Sequence, residues 1–397
     1  MRPSPYFWPA LVQYFRERTR LWAAAGFLVG VILTGWELVV AAPSFFAQYA
    51  VRNDFRLDFA AAQIGLREGY GSLYDLSAQQ RAIRGLGPEF NVQPFISPPP
   101  LAWLVTPLTS LPFTAALVIW TALLFAALFW TWFLLAPGEG FARSAHLVLW
   151  LGVFPVAFGL MVGQPGALVA AAVATAWWLI RAKRPLAAGV ALSFLVLKPQ
   201  LALLVPVALV VAGYRKTFVT WLVASAIVGA VALVLLGADG LARYRDVLGQ
   251  TQTAAWDITR RYSISGPLGL GWALRVVELA VLVTTVVAAW RQRHSLERVL
   301  AAGIAGSLLF TPYLGFQDFL MLFVAGWLLV RSGATAVQVA ILVAGYVLLE
   351  LALVVLAIPI LVAEALLLGS LLWPIGSFGA KDAYRLAPIR AFGDKRA

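Results

Sequence analysis

The sequence contains no cysteine and only two histidines, His146 and His294, among 397 residues. The first absence removes disulfides and thiolate chemistry, and any reading of redox compartment with them. The second excludes a histidine-rich metal site, since the two imidazoles are far apart and each sits beside an apolar run. Charge is scarce too. Only 12% of residues are Asp, Glu, Lys or Arg, where a soluble domain carries about a quarter. What the chain has instead is apolar: 61% of it is hydrophobic. The apolar residues come in runs of about twenty, the length a helix needs to cross a bilayer core of roughly 30 Å. Short alternating segments of the kind that build a membrane β-barrel do not occur. The formal charge of +12 would suit a nucleic-acid binder. The basic residues flank the apolar runs, however, so membrane lipids are the expected partner and nucleic acid is not.

The composition predicts an all-α polytopic membrane protein. Spans are expected near 21–42, 113–136, 145–161, 165–180, 185–197, 199–213, 217–236, 268–290, 297–311, 316–331, 335–351 and 353–375. The first run is too long for a cleaved signal peptide and reads as a retained helix. Arg2, Arg16, Arg18 and Arg20 precede it. Arg143, then Arg181, Lys183 and Arg184, then Arg215 and Lys216 fall in alternate gaps. Arg291, Arg293, Arg298, Arg331, Lys381, Arg385, Arg390, Lys395 and Arg396 complete a set of 19 of the 30 basic residues on one side. The positive-inside rule makes that side cytoplasmic, giving about twelve spans with both termini inside. The stretch Leu101–Pro112 is short and framed by Pro98, Pro99, Pro100 and Pro112. Counting it as a span would put Arg181–Arg184 outside, so it is expected to be a re-entrant or interfacial helix on the outer side. Two outer segments result, 43–112 and 237–267, and short amphipathic helices are expected near Phe59–Glu68 and Leu76–Gly85 in the first. No internal repeat is evident, so a single membrane-embedded domain over 1–397 is expected.

Candidate residues cluster at outer turns. Asp54 and Asp58 lie just beyond span one at i, i+4 spacing and share a helix face. Either carboxylate could take a proton from an acceptor hydroxyl. The competing reading is that they cap the helix near Phe59 or pair with Arg52 or Arg56. Lys198 is the one basic residue deep in an apolar region, where Pro199 breaks the helix. An ionisable group there is costly and suggests phosphate binding, unless it snorkels to the interface. Gln164, in Gly163-Gln164-Pro165-Gly166, offers an amide to a sugar hydroxyl or belongs to a plain turn. Arg260 and Arg261 follow Trp256-Asp257 and precede Tyr262, which suits a phosphate head group or ordinary lipid contact. Tyr313, Gln317 and Asp318 mark another outer turn, where Asp318 is either a site residue or a helix cap. Glu37, Glu278, Glu350 and Glu364 lie within spans. Glu37 could line the same cavity as the first loop.

Several of these features occur in a recognisable order. Asp54-Phe55 precedes Ala60-Ala61-Ala62, Gly69 and Leu73-Tyr74-Asp75. Ser97-Pro98-Pro99-Pro100, Pro107, Leu111-Pro112, Gly163-Gln164, Ala188-Gly189, Lys198-Pro199-Gln200 and Thr311-Pro312-Tyr313 follow. This order resembles the GT-C glycosyltransferases of family 87, a group that includes polyprenyl-phosphate-mannose-dependent α-mannosyltransferases, over roughly residues 20–330. The resemblance implies a GT-C fold, with a conserved seven-helix module in 1–236 and variable helices in 268–397. It implies inverting transfer of a hexose or pentose from a polyprenyl-phosphate donor to a lipid or glycan acceptor. It makes Asp54 the catalytic aspartate, with Asp58, Gln164, Lys198, Arg260, Arg261, Tyr313, Gln317 and Asp318 binding substrate. No cofactor or metal is needed in that scheme. The implied setting is the cell envelope: a bacterial inner membrane, with the site facing the periplasm or exterior. Phe316-Gln317-Asp318 stands where mannosyltransferase members often carry histidines. A lipid or solute transporter and a non-catalytic scaffold are the rival readings.

Overall fold

The computed structural model describes residues 19–49, 54–87, 94–250, 260–351 and 357–373. Among them every regular element is helical. α1 (Thr19–Trp36) passes through a π-helical turn, Glu37–Ala41, into α2 (Ala42–Tyr49). The first outer segment holds α3 (Phe55–Arg67), α4 (Leu76–Arg84) and α5 (Pro99–Val105), close to the expected short helices. α6 (Phe113–Leu135), α7 (Gly140–Gly152), α8 (Phe154–Val162), α9 (Gly166–Arg181), α10 (Pro185–Leu192), α11 (Leu204–Val211) and α12 (Arg215–Gln250) follow. α13 (Ser265–Leu268), α14 (Trp272–Arg291), α15 (Leu296–Phe310), α16 (Leu320–Arg331), α17 (Ala336–Glu350) and α18 (Ile358–Ser370) complete the bundle.

Among the described residues four helices are long and apolar enough to cross a membrane: Arg20–Phe45, Phe113–Leu135, Arg215–Gln250 and Trp272–Arg291. α7 and α8 pass the same test together as a pair bent by 58°, the form of a broken span or a re-entrant loop. Large apolar side chains such as Leu28, Ile32, Val39 and Val234 face outward from these helices, as a lipid-facing surface requires. The chain is a multi-pass membrane protein. Its remaining apolar helices are shorter, and α9, α15 and α16 among them are largely buried. α15 is the innermost, buried at every position from Leu296 to Leu309.

Without a hydrophobic force between helices in lipid, close packing depends on small residues. At the α1–α7 contact a Cβ on Gly30 would lie 2.6 Å from the Leu149 amide nitrogen, and one on Gly152 would lie 2.8 Å from that of Thr34. The Thr34 hydroxyl donates to the Val148 carbonyl across the same contact at 3.0 Å.

The stretch expected to be re-entrant is seven residues of α-helix, α5, followed by a 3-10 turn, Thr106–Ser110, and α3 packs against both. The loop above is well held. Tyr74 donates to the Ser97 carbonyl at 2.7 Å, and Gln79 accepts from the Phe95 amide while donating to the Leu73 carbonyl, both at 2.9 Å. The second outer segment differs from a plain loop. Gly237, where the span is expected to end, kinks the chain with φ 62 and ψ −174, but helix resumes to Gln250. That extension leans on the first segment: Tyr244 stacks on Tyr74 at 4.2 Å, and Arg243 donates to the Gly71 carbonyl at 3.1 Å. Arg52, Trp256, Asp257, the basic N-terminal residues before Thr19 and the basic tail lie outside the described residues.

Candidate active site

Asp54 stands at the start of α3, one residue before an aromatic anchor. Phe55 stacks on Trp120 of α6 with centroids 5.3 Å apart, and Phe59 meets Phe113 edge-on at 5.5 Å. Phe55 and Phe59 are one turn apart, so they lock one face of α3 to the top of α6. Asp54 and Asp58, each one residue earlier, are carried together onto the neighbouring face.

The geometry bears on the cap and on Arg56, two of the alternatives open for these aspartates. Asp54 occupies the N-cap position of α3 but makes no side-chain cap bond. Arg56 turns the other way and donates to the carbonyls of Ile83 and Gly87, at 2.5 and 2.7 Å. The Asp54 carboxylate instead accepts from the Gln164 side-chain amide. Gln164 follows Gly163, whose left-handed backbone (φ 75) ends α8. A Cβ on Gly163 would come 2.8 Å from that of Phe55. The Trp120 indole donates to the Gly163 carbonyl at 2.7 Å. Only a residue without a side chain lets the α8–α9 turn lie this close to α3.

The Gln164 carbonyl oxygen accepts from Lys198 Nζ at 2.8 Å, and the same ammonium pairs with Asp318. The amide orientation is dictated by charge: turning it over would set NH2 against an ammonium and oxygen against a carboxylate. Lys198 sits between two 3-10 turns, Ser193–Leu197 and Pro199–Leu201, with φ −153 and ψ 74, at the break expected from Pro199. Its side chain is buried and turned inward, not snorkelling. Asp318, 1% exposed, uses its second oxygen to accept the Gly315 amide at 3.0 Å. It therefore caps the turn and pairs with Lys198 at once. A continuous chain runs Asp54–Gln164–Lys198–Asp318.

Burial raises the Asp54 carboxyl above its ordinary value, opposed by the Gln164 hydrogen bond and the Lys198 charge and aided by Asp318. Asp58 is raised much further, by burial and then by Asp54. Burial and the neighbouring Asp54 charge thus favour the protonated form of Asp58, with the Lys198 charge opposing them.

Tyr313 is half-buried, and burial and Asp318 raise its hydroxyl. Gln317 shares the 3-10 turn Phe316–Phe319 with Asp318. Arg260 is buried and Arg261 exposed. Their segment is tied to the same turn: Ser263 donates to the Pro312 carbonyl at 2.8 Å, Ser265 donates to it as well, and Tyr262 packs on Phe316 at 5.4 Å. Tyr244 was not among the sequence candidates. Its hydroxyl is pushed up to about 12 by burial and by Tyr313, which places it beside the site. Its position depends on the helical extension past Gly237, which has no local signal in the sequence. Among the described residues no group of three or more His, Cys, Asp or Glu is gathered as metal ligands would be.

The model of glycosyltransferase family 87 matches residues 95–312, more than half of the chain. The chain belongs to glycosyltransferase family 87. No curated protein and no solved structure matches it. Family 87 membership makes it a membrane glycosyltransferase with a sugar donor and an acceptor as substrates, and favours that over the transporter and scaffold readings. The matched stretch includes Gln164, Lys198, Arg260 and Arg261. It excludes Asp54, Asp58, Tyr313, Gln317 and Asp318. Gln164 and Lys198 are thus the family-matched pair that joins two carboxylates lying outside the match.

Proposed function

We propose that the chain transfers a mannose-like hexose or a pentose from a polyprenyl-phosphate donor to a hydroxyl of a lipid- or glycan-linked acceptor, with inversion, on the non-cytoplasmic face of the membrane. The observation that carries this reading is the hydrogen-bonded chain from Asp54 to Asp318. It holds a half-buried carboxylate of raised proton affinity at the mouth of the bundle, with a cation behind it.

In this reading Asp54 is the general base. The acceptor oxygen attacks the anomeric carbon from the face opposite the phosphate. The carbon–oxygen bond to the phosphate breaks, its electron pair stays on the phosphate, and the acceptor proton passes to Asp54. Gln164 aims the Asp54 carboxylate, leaving its other oxygen for the acceptor. Lys198 has three donors, two of them given to Gln164 and Asp318, and the third is free for the leaving phosphate. Arg260 and Arg261 supply further positive charge, which stabilises negative charge developing in a water-poor site. Asp58, whose protonated form burial favours, can in that form donate a hydrogen bond to a sugar hydroxyl, as can Tyr313 and Gln317.

The test is transfer by the purified protein from labelled polyprenyl-phosphate sugars to membrane-lipid acceptors. Asp54→Asn should lower turnover by roughly 100- to 10,000-fold, the usual worth of a general base, with the unfolding temperature little changed. Normal turnover in that variant would remove Asp54 from the chemistry. Turnover with nucleotide sugars and none with lipid-phosphate sugars would overturn the donor class.

A further inference from the structure

α9 starts beside Gln164 and carries the chain about 24 Å away at 1.5 Å per residue. α10 then returns toward Lys198. At the far end, between the starts of α10 and α12, the surface forms an open groove of about 780 Å³. Its lining includes Lys183, Arg184, Leu186, Arg215, Lys216 and Val219. α10 and α12 approach closely here, since a Cβ on Gly189 would lie 2.6 Å from the Thr217 carbonyl oxygen.

Three observations point to what the groove holds. First, its four cations are exposed and none forms an ion pair with a described residue. Converging unpaired cations repel one another unless an anion joins them. Second, Lys183 is the lone non-glycine residue with positive φ (58) among the described residues. It ends α9, with the Arg184 amide donating to the Leu179 carbonyl at 2.8 Å. Helix ends of this form normally use glycine, and the equivalent turn after α11 does, at Gly213 (φ 96). A lysine thus stands at a strained position, of the kind that clusters at functional sites. Third, the floor is apolar, and an exposed stripe of Val219, Val223 and Ile227 descends from it along α12 at one-turn spacing, with Leu222 beside it.

A basic rim above an apolar track fits an amphiphile and not a free anion. We propose that this groove binds an anionic phospholipid of the surrounding leaflet. Its headgroup phosphate lies among Lys183, Arg184, Arg215 and Lys216, and an acyl chain lies along the Val219–Val223–Ile227 stripe. The ligand, face and residues are separate from the Asp54 site.

The experiment is lipid titration of the purified full chain in neutral detergent, read by thermal unfolding and by native mass spectrometry. The probes are phosphatidylglycerol, phosphatidylcholine and inorganic phosphate. Phosphatidylglycerol should raise the unfolding temperature and remain bound, while phosphatidylcholine and phosphate do neither. The quadruple variant K183Q/R184Q/R215Q/K216Q should bind phosphatidylglycerol up to roughly a thousandfold more weakly, given the usual worth of four interfacial cations. R291Q/R293Q, which removes two cations at another loop, should bind as the native chain does. Val223→Glu keeps all four cations and should still weaken binding. The proposal is overturned if phosphate stabilises as phosphatidylglycerol does, if the quadruple variant binds like the native chain, or if Val223→Glu has no effect.

Discussion

Lys198 and Asp318 illustrate the energetics of a charge inside a membrane bundle. Both are buried, so removing one partner leaves an uncompensated charge and should cost about 3–5 kcal/mol. Lys198→Gln or Asp318→Asn alone should therefore lower stability sharply, while K198Q/D318N should recover much of the loss and remain inactive. A double-mutant cycle by chemical unfolding checks this, and simple additivity would show that the pair is not coupled. Asp58 makes the opposite case. Its carboxyl is held well above its ordinary value, so its folded form favours the proton. The stability this contributes is complete below the ordinary aspartate value and is lost as pH rises through the folded value. Asp58→Asn should then stabilise the protein increasingly with rising pH, measured as the difference in unfolding free energy between variant and native chain. For Asp54 the same direction of shift bears on rate: a base must be unprotonated. The acid limb of the turnover profile should fall above the ordinary aspartate value of 3.8, and a limb at or below it would exclude Asp54 as that base.

At the scale of elements, the α8–α9 turn sets the distance between Gln164 and α3. Gly163→Ala brings both a strained left-handed backbone and a collision with Phe55, and should cost on the order of 1–3 kcal/mol. Turnover should drop with it, because α3 carries Asp54. Unchanged turnover would show that the turn does not position the base. Much of this was legible beforehand for physical reasons. A lysine within an apolar run next to proline has few explanations, and the break at Lys198 follows from Pro199 alone. The short helices of the first outer segment were visible in their amphipathic pattern. The choice of Asp54 over Asp58 was not, since spacing treats them alike and only the family resemblance separated them. Nor was the partner of Lys198 visible. Asp318 is 120 residues away, and its own neighbourhood reads as a helix cap, which it also is. Gly237 reads as the end of a span, and the chain does kink there, but a glycine kink carries no sign that helix resumes beyond it and brings Tyr244 beside Tyr313.

On the scale of the whole molecule, the natural absence of cysteine makes orientation directly measurable. A single cysteine at exposed Arg67, on α3, should react with a membrane-impermeant maleimide in intact cells. One at exposed His294, in the α14–α15 turn, should react only after the membrane is opened. The reverse pattern would invert the assigned faces. The site also has a history written into its sequence separations. Gln164 meets Asp54 across 110 residues, and Lys198 meets Asp318 across 120. A membrane chain is threaded into the bilayer from its N-terminus as it is made, at about 5–20 residues per second. Lys198 thus enters the membrane on the order of ten seconds before its counter-charge exists. The growing chain must shelter a bare ammonium in the meantime, and the hydrogen-bonded chain from Asp54 can close only once residue 318 has been made.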